Sequence, residues 1–454
     1  MSLKHSGVAI DIIKELEAVF LNAWQGAGAP EISILAVSGG GDSMAMMNAA
    51  AACSLPGKCI VITVDHGLRT QAAAEARFVA ERANAAGLRH ETLTWCPGEI
   101  SAGVMAEARS ARYALLALCA AKIGATAIFT AHNADDVAET LMMRLARGSG
   151  AKALANMHRS VQIAAGPGVP IPLIRPFLSQ PRDALRAAAG AAGEDFIDDP
   201  TNSDASFERV RMRAFLASAG REIGLAPGQL EKSARRLAAT AAIEAAQQRD
   251  RAAALGLRFE DWGGLSIDPD LDLARDNGVF ARLVHAVGGD GYSPAPDIAH
   301  RALAQVVGGG TASLAGVIVR PFRGRIFFYR EPAALLGRAD GTSAIAPMAI
   351  DAGQSILWDG RFIVTAGAAT SVSPLGQFGA GMSAITGFNG PRDALLSMPR
   401  LGLTDAPSSP LNAPDCFKSL AGERFYGNVI RFADVAIDRK NTGLDTVRAD
   451  GFAK

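Results

Sequence analysis

Residues 34–47 read ILAVSGGGDSMAMM, which is an apolar stretch, a glycine-rich turn and the start of a helix. Glycines let backbone N–H groups approach an anion closely, and the N-terminus of a helix adds positive dipole. The hydroxyls of Ser38 and Ser43 are placed to donate hydrogen bonds to phosphate oxygens. Asp42 would repel a bare phosphate, so its carboxylate indicates either a bound cation or a helix cap. The segment predicts a phosphate-binding loop, and the absence of a Gly-Lys-Ser/Thr ending disfavours the Walker type.

Short apolar runs alternate with helical periods on both sides of this turn. We expect strands over 32–37, 59–64, 90–95 and 126–130, separated by helices over 42–52, 71–86, 106–123 and 133–146. Continuously apolar strands that alternate with helices are typical of a parallel sheet covered on both faces. The pattern predicts an α/β fold whose ligands lie at the carboxyl ends of the strands.

The composition changes twice along the chain. Beyond residue 206 it becomes rich in Arg, Ala and Glu with helical periods, and from residue 348 it is rich in Gly, Ser and Ala. We therefore expect an α/β catalytic domain over 1–215, a helical or mixed domain over 216–335 and a smaller C-terminal domain over 345–454.

Charge and cysteine usage restrict the class of protein. The 45 basic and 45 acidic residues cancel, so any contact with nucleic acid must come from local patches. The five cysteines form no CxxC pair, which disfavours a zinc ribbon or an iron–sulfur site and is typical of a reducing compartment. The N-terminus lacks the apolar core of a signal peptide, and the chain has no charge-free apolar run of about 18 residues. We expect a cytoplasmic protein that makes no membrane contact.

Two segments carry further polar side chains at predicted sheet and helix positions. VDHGLR, residues 64–69, closes the second strand with Asp65 and His66, where the alternative is a turn with a helix cap. EARSARY, residues 107–113, places Arg109 and Arg112 on one helical face, where the alternative is a solvated basic surface.

The segment TAHNADDVAET, residues 130–140, is the richest in ionisable groups. His132, Asp136 and Glu139 recur at i, i+4 and i+7, so they share one face of a helix that follows a strand end. The alternative is that acidic residues at a helix start merely favour the helix dipole, which leaves His132 and Glu139 unexplained. The pattern favours an acidic site that meets cations.

The loop resembles the Ser-Gly-Gly-x-Asp-Ser signature of the PP-loop ATP pyrophosphatases. Together with VDHGLR, EARSARY, the acidic segment up to RLARGSG, and DPTNSDASFERVRMR, it resembles the tRNA(Ile)-lysidine synthases over about residues 30–215. That family attaches lysine to C2 of the wobble cytidine in a CAU anticodon, through an adenylated tRNA intermediate, and releases pyrophosphate and AMP. The resemblance implies ATP and magnesium as cofactors and tRNA(Ile) and L-lysine as partners, with the two later domains binding the tRNA.

The resemblance also implies roles for individual residues. Lysine would be bound by His132, Asp136 and Glu139, and magnesium by Asp42. Arg112 and Arg211 would lie near the nucleotide or the target base, and with Asp42, Asp136 and Glu139 they make up the expected catalytic set. ATP would be bound by Ser38, Gly39, Gly40, Gly41, Asp42, Ser43, Asp65 and His66. The chain departs from the family pattern at Asn133, where a second His is common, and at Val210, which replaces an Asn.

Three other functions fit parts of the sequence. A tRNA thiolation enzyme shares the loop but needs paired cysteines. A small-molecule ligase of the same class would have less use for two further domains. A non-catalytic nucleotide sensor or RNA-binding module would gain nothing from carboxylates in its cleft, because they repel phosphate.

Overall fold

The computed structural model describes most of the first 376 residues and shorter stretches beyond them. The described residues are 2–55, 58–65, 71–95, 104–155, 157–164, 170–191, 196–198, 204–288, 293–337, 344–353, 355–376, 388–402, 416–419 and 429–431. The chain divides into two compact units, one comprising mainly Met1–Ala165 and Val169–Ile243 and the other mainly Glu244–Ala433. The division into domains at 215 and 335–345 stays a prediction.

The first unit contains nine helices and six strands among its described residues. In chain order they are α1 Ser2–Gly26, β1 Ile32–Ala36, α2 Gly41–Ala52, β2 Lys58–Asp65, α3 Ala72–Ala85, β3 Arg89–Thr94, α4 Val104–Ile123, β4 Ala127–Thr130, α5 Ala134–Ala146, α6 Ala151–Leu154, β5 Ser160–Ala164, β6 Ile171–Ile174, α7 Arg182–Ala191, α8 Glu208–Ile223 and α9 Pro227–Ala254, which continues into the second unit.

The strands of the first unit form one sheet in the order β5-β6-β4-β1-β2-β3. All neighbouring pairs are parallel except β5 with β6, which is antiparallel. The expected α/β fold with a parallel sheet is therefore confirmed. Ala36, the last residue of β1, lies opposite Thr130, the last residue of β4, so the turns that follow these two strands begin side by side.

The sheet is buried by helices because its central strands are mostly apolar. Ile34 and Leu35 of β1 are fully buried, and Leu35 shares a core cluster with the buried methionines of α2. The ring of Phe20 on α1 lies 5.1 Å from the ring of Phe129 on β4. This packing fixes the ends of β1 and β4, from which the candidate site is built.

The second unit is built around small antiparallel sheets. Its elements are β7 Arg258–Phe259, β8 Leu265–Ile267, α10 Asn277–Val287, α11 Pro296–Val307, β9 Ala312–Leu314, β10 Val317–Phe322, β11 Arg325–Arg330, α12 Ala333–Leu336, β12 Met348–Ile350, β13 Ser355–Trp358, β14 Phe362–Thr365, β15 Thr370–Pro374, a 3-10 helix Arg392–Ser397, β16 Pro399–Leu401, β17 Phe417–Ser419 and β18 Val429–Arg431. The sheet β7-β8-β11-β10-β9 packs on α10 and α11, and β12-β15-β16 and β13-β14-β17 form two further sheets.

Candidate active site

The glycine loop between β1 and α2 is closed by its own serines. Ser43 donates a hydrogen bond from Oγ to the carbonyl of Gly40 over 2.8 Å, and the backbone N–H of Ser38 donates to Oγ of Ser43 over 3.2 Å. Gly39 has φ +88°, a conformation that L side chains rarely adopt. A Cβ at Gly39 would lie 2.5 Å from Cδ1 of Ile197, so the loop has no room for one. The backbone is thus held at the N-terminus of α2, where a helix favours an anion.

Asp42 lies in the first turn of α2 but does not cap this helix. The N-cap of α2 is Gly40, and no side chain caps it. Oδ2 of Asp42 accepts a hydrogen bond from Nδ2 of Asn133 over 2.9 Å and lies 3.6 Å from Nε of Arg182, whereas Oδ1 is buried and accepts none. Burial raises the pKa of Asp42 to about 6, with Asp136 adding to the rise and Arg182 opposing it. The carboxylate therefore has one oxygen left for a cation.

The start of α5 uses a reciprocal cap. Asn133 accepts a hydrogen bond from the backbone N–H of Asp136 through Oδ1, and Oδ2 of Asp136 accepts one from the backbone N–H of Asn133. Asp135 accepts from the backbone N–H of Arg182 over 2.8 Å and so ties α5 to α7. One oxygen of Asp136 thus caps the helix, and the other, Oδ1, faces two arginines.

Three arginines surround the carboxylates of α5. Glu139, whose side chain is only 1% exposed, accepts hydrogen bonds from Arg182, Arg209 and Arg213 over 3.0, 2.6 and 2.9 Å. Oδ1 of Asp136 accepts from Arg182 over 3.1 Å and from Arg209 over 2.9 Å. Burial raises the pKa of Glu139, but Arg209, Arg182 and Arg213 outweigh it and hold that pKa below its ordinary value. Glu139 is therefore ionised and well held at neutral pH.

Arg182 joins the glycine loop to the acidic helix. Its guanidinium contacts Asp42 on α2 as well as Asp136 and Glu139 on α5. Burial lowers the pKa of Arg182, but the three carboxylates outweigh it and raise that pKa, so the side chain stays charged. The glycine loop and the acidic face of α5 consequently form one site, at the carboxyl ends of β1 and β4.

Comparison with known proteins shows the family of this chain. The PP-loop domain model matches residues 12–219. A tRNA(Ile)-lysidine synthase of Ruegeria pomeroyi is 35% identical over 78% of this chain and 80% of its own length. Those of Methylobacterium nodulans and Novosphingobium aromaticivorans are each 40% identical, over 61% and 68% of this chain and 80% and 92% of their own lengths. This chain belongs to the tRNA(Ile)-lysidine synthase family. A solved U34-tRNA thiolase of Methanococcus maripaludis, at 16% identity, 50% coverage of this chain, 80% of its own and a TM-score of 0.43, adds nothing to that assignment.

The residues that the family resemblance singled out do not all lie together. Asp42, Asp136 and Glu139 meet around Arg182, and the loop of Ser38 to Ser43 carries Asp42. Arg211 is exposed and donates to the backbone carbonyls of Ala205 and Ser206, on the loop before α8. Asp65 is half-buried at the end of β2, and His66 lies outside the described residues.

His132 and Arg112 both lie near arginine side chains. Nδ1 of His132 is 2.9 Å from Oγ1 of Thr130. Burial lowers the pKa of His132 well below its ordinary value, and Arg175 and Arg109 lower it further, so the imidazole is neutral at pH 7. Burial also lowers the pKa of Arg112, and Arg109 adds to that effect. His132 is therefore a neutral hydrogen-bonding group.

Four residues of this site were not predicted from the sequence, namely Asn133, Arg182, Arg209 and Arg213. Arg209 and Arg213 are four residues apart on α8 and share its inner face, whereas Arg211, two residues from each, points to the opposite side. That spacing was a usable signal for the pair. Arg182 offered none, because its partners lie 43 or more residues away in the sequence.

Proposed function

We propose that this protein is an ATP-dependent ligase that forms a carbon–nitrogen bond between lysine and C2 of the wobble cytidine of tRNA(Ile) with a CAU anticodon. One observation carries the proposal beyond the family assignment. The guanidinium of Arg182 contacts carboxylates of both the glycine loop and α5, so a phosphate-binding element and an acidic element share one cleft. ATP and an amine substrate would meet there.

ATP fits the glycine loop because the loop presents backbone N–H groups and hydroxyls at the start of α2. Magnesium fits Asp42, since Oδ1 of that residue is buried and has no hydrogen-bond partner. Within the part of the chain that the structure describes, no three His, Cys, Asp or Glu side chains come together as a metal site. The ion would therefore be held by Asp42 with phosphate oxygens and water, as is usual for magnesium, and would neutralise charge on the phosphates.

The C2 oxygen of cytosine is a poor leaving group, so the reaction needs an activation step. The C2 carbonyl oxygen of cytosine attacks the α-phosphorus of ATP and pyrophosphate leaves, which gives an adenylated base. The ε-amine of lysine then attacks C2, loses its proton and expels AMP. Loop amides and hydroxyls stabilise charge in the first step, and the carboxylates of α5 favour an ammonium and are candidates for the base of the second.

Lysine is proposed to bind at Asp136, Glu139 and His132, in distinct ways. The side chain of Asp136 is 15% exposed and can receive the ammonium directly, whereas that of Glu139 is almost fully buried. Glu139 would act by holding Arg182, Arg209 and Arg213 in place. Neutral His132 would offer a hydrogen bond without repelling the ammonium.

The tRNA is proposed to be held by the regions over 216–335 and 345–454, with its single-stranded anticodon loop delivering a turned-out base to the cleft. We propose a cytoplasmic site for the reaction. No described helix is long and apolar enough to cross a bilayer.

The experiment is incubation of the full chain with ATP, lysine and an unmodified tRNA(Ile) transcript that carries CAU. We expect the tRNA mass to increase by one lysine less one water, with one pyrophosphate released for each lysine attached. Gain of a sulfur atom from a sulfur donor would instead indicate a thiolation enzyme. Pyrophosphate release without tRNA would indicate a small-molecule ligase, and tRNA binding without pyrophosphate would indicate a binding module.

A further inference from the structure

A second group of cationic side chains lies beside the site around the ring of Tyr113 on α4. The guanidinium of Arg109 stacks over that ring at 5.1 Å from its centre, and Arg175, just after β6, hydrogen-bonds the Tyr113 side chain. Arg175 also donates to the carbonyl of His158 over 2.7 Å. Arg144, at the end of α5, donates to the carbonyl of Ala153. We call Arg109, Arg144 and Arg175 the arginine cluster.

Among the described residues, the arginine cluster has no salt-bridged acid, unlike the arginines around Glu139. No carboxylate among the described residues makes a salt bridge with Arg109, Arg144 or Arg175. Arg175 is only 6% exposed, and its Nε is buried without a hydrogen-bond partner. Three like charges held together in this way favour an external anion, because burial weakens the screening of their repulsion.

The charges of the arginine cluster affect the pKa values of one another and of two nearby histidines. Burial lowers the pKa of Arg144, and Arg109 lowers it further. Burial also lowers the pKa of His158, and Arg175 and Arg144 add to the effect. Since Arg175 and Arg109 act in the same way on His132, the cluster borders the proposed lysine end of the cleft. Arg109 is exposed, so the cluster opens to solvent.

We infer that the arginine cluster binds the backbone phosphates of the RNA strand on either side of the target cytidine, and so positions that base over the cleft. This inference rests on the proposed function. A turned-out base brings with it the two phosphates that flank it, and guanidinium groups suit phosphate oxygens. Three guanidinium groups from α4, α5 and the end of β6 exceed what the single carboxylate of lysine needs.

The test compares Arg109→Gln and Arg144→Gln with Arg82→Gln as the matched control. Arg82, on α3, stacks on Phe78 at 5.4 Å, so it loses the same charge and the same kind of ring contact. Affinity for the unmodified transcript is measured by filter binding over a series of salt concentrations. We expect each cluster variant to lower the slope of log affinity against log salt by about 0.7, the value for one single-strand phosphate contact. The control should keep the wild-type slope.

A second measurement uses a transcript with neutral methylphosphonates at the two linkages flanking the target cytidine. Wild type should bind this transcript several-fold more weakly than the natural one. The methylphosphonates should lower the affinity of Arg109→Gln by a smaller factor, because the substitution and the methylphosphonates remove the same contact. Slopes equal to that of Arg82→Gln, or fully additive losses, would overturn the inference. So would a raised KM for lysine at unchanged tRNA affinity, which would assign the anion to the lysine carboxylate. If wild type attaches no lysine, the proposed function fails. The salt dependence of tRNA affinity still shows in that case whether the arginine cluster contacts phosphates.

Discussion

Asn133 donates a hydrogen bond from its side-chain amide to Asp42 over 2.9 Å and thereby joins two turns that are 91 residues apart in the sequence. The carbonyl oxygen of the same amide caps α5. One fully buried side chain therefore both starts the acidic helix and holds the carboxylate of the glycine loop toward the cleft. A histidine at this position could not do both in the same geometry, since its ring carries no carbonyl oxygen beside its donor.

The two roles of Asn133 can be separated with Asn133→Ser and Asn133→Ala. Serine retains a capping oxygen but is too short to reach Asp42, whereas alanine loses both contacts. We expect the alanine variant to be less stable than the serine variant by about 1 kcal/mol, the usual value of an N-cap. Both variants should show the same rise in KM for ATP. Denaturant unfolding and steady-state kinetics measure the two effects, and equal stabilities of the two variants would show that the cap contributes nothing.

Asp42 makes the fold less stable as pH rises. Its pKa in the folded protein is about 6, above its ordinary value of 3.8, so between these values the folded state binds more protons than the unfolded state. Stability contributed by the protonated form is present below about pH 4 and is lost as pH rises through 6. We expect Asp42→Asn to be more stable than wild type at pH 7–8 by about 2–3 kcal/mol, from roughly 1.4 kcal/mol for each pKa unit.

The same substitution should abolish pyrophosphate release, because it removes the carboxylate proposed for magnesium. The gain in stability should shrink as pH falls and disappear in denaturant unfolding well below pH 3.8, where Asp42 is protonated in both states. Asp183→Asn, which removes an exposed carboxylate on α7, controls for the loss of one charge. A pH-independent difference, or near wild-type turnover by Asp42→Asn, would contradict the role assigned to Asp42.

Gly39 and Gly40 offer a matched pair within the glycine loop. Gly39 needs φ +88° and has Ile197 at 2.5 Å from any Cβ, while Gly40 has φ −70° and its nearest neighbour for a Cβ is 3.8 Å away. Gly39→Ala should therefore lose about 1–3 kcal/mol of stability through strain and lose ATP binding. Gly40→Ala should fold as wild type does. Thermal unfolding with and without ATP and magnesium measures the stability and the ATP binding of both variants. Equal stability would show that the loop relaxes freely.

The features that could be predicted from the sequence are those that depend on residues close together along the chain. The strands β1 to β4, the helices between them and the glycine loop follow from apolar runs, helical period and glycine content, and the structure confirms them. The β5-β6 hairpin and α7 did not stand out, and Arg182 at the start of α7 was missed. The grouping of Arg182, Arg209 and Arg213 on Glu139 depends on contacts across 43 to 74 residues, which no local pattern encodes. The roles of Arg112 and Arg211 stay predictions.

Asp136 and Glu139 should respond differently to loss of their charge. Glu139 is buried under three guanidinium groups, so Glu139→Gln leaves positive charge without a partner and should lose about 3–5 kcal/mol of stability. Because the pKa of Glu139 is held below its ordinary 4.5, its contribution is present above that pH and is lost as pH falls further. A kinetic defect in Glu139→Gln would thus mix binding with folding, and Asp136 is the better probe of lysine binding.

Asp136→Asn keeps an oxygen for the cap of α5 and removes only the charge that faces the cleft. We expect KM for lysine to rise at least tenfold, since the ammonium loses the carboxylate proposed to receive it, while KM for ATP stays within about twofold. Adenylated tRNA should accumulate, because the first chemical step needs no amine. Steady-state kinetics in each substrate, with isolation of the adenylated RNA, gives all three results. The structural alternative is that Asp136 only caps the helix and anchors Arg182 and Arg209. In that case both constants would rise together, no intermediate would accumulate, and the lysine site would have to lie elsewhere in the cleft.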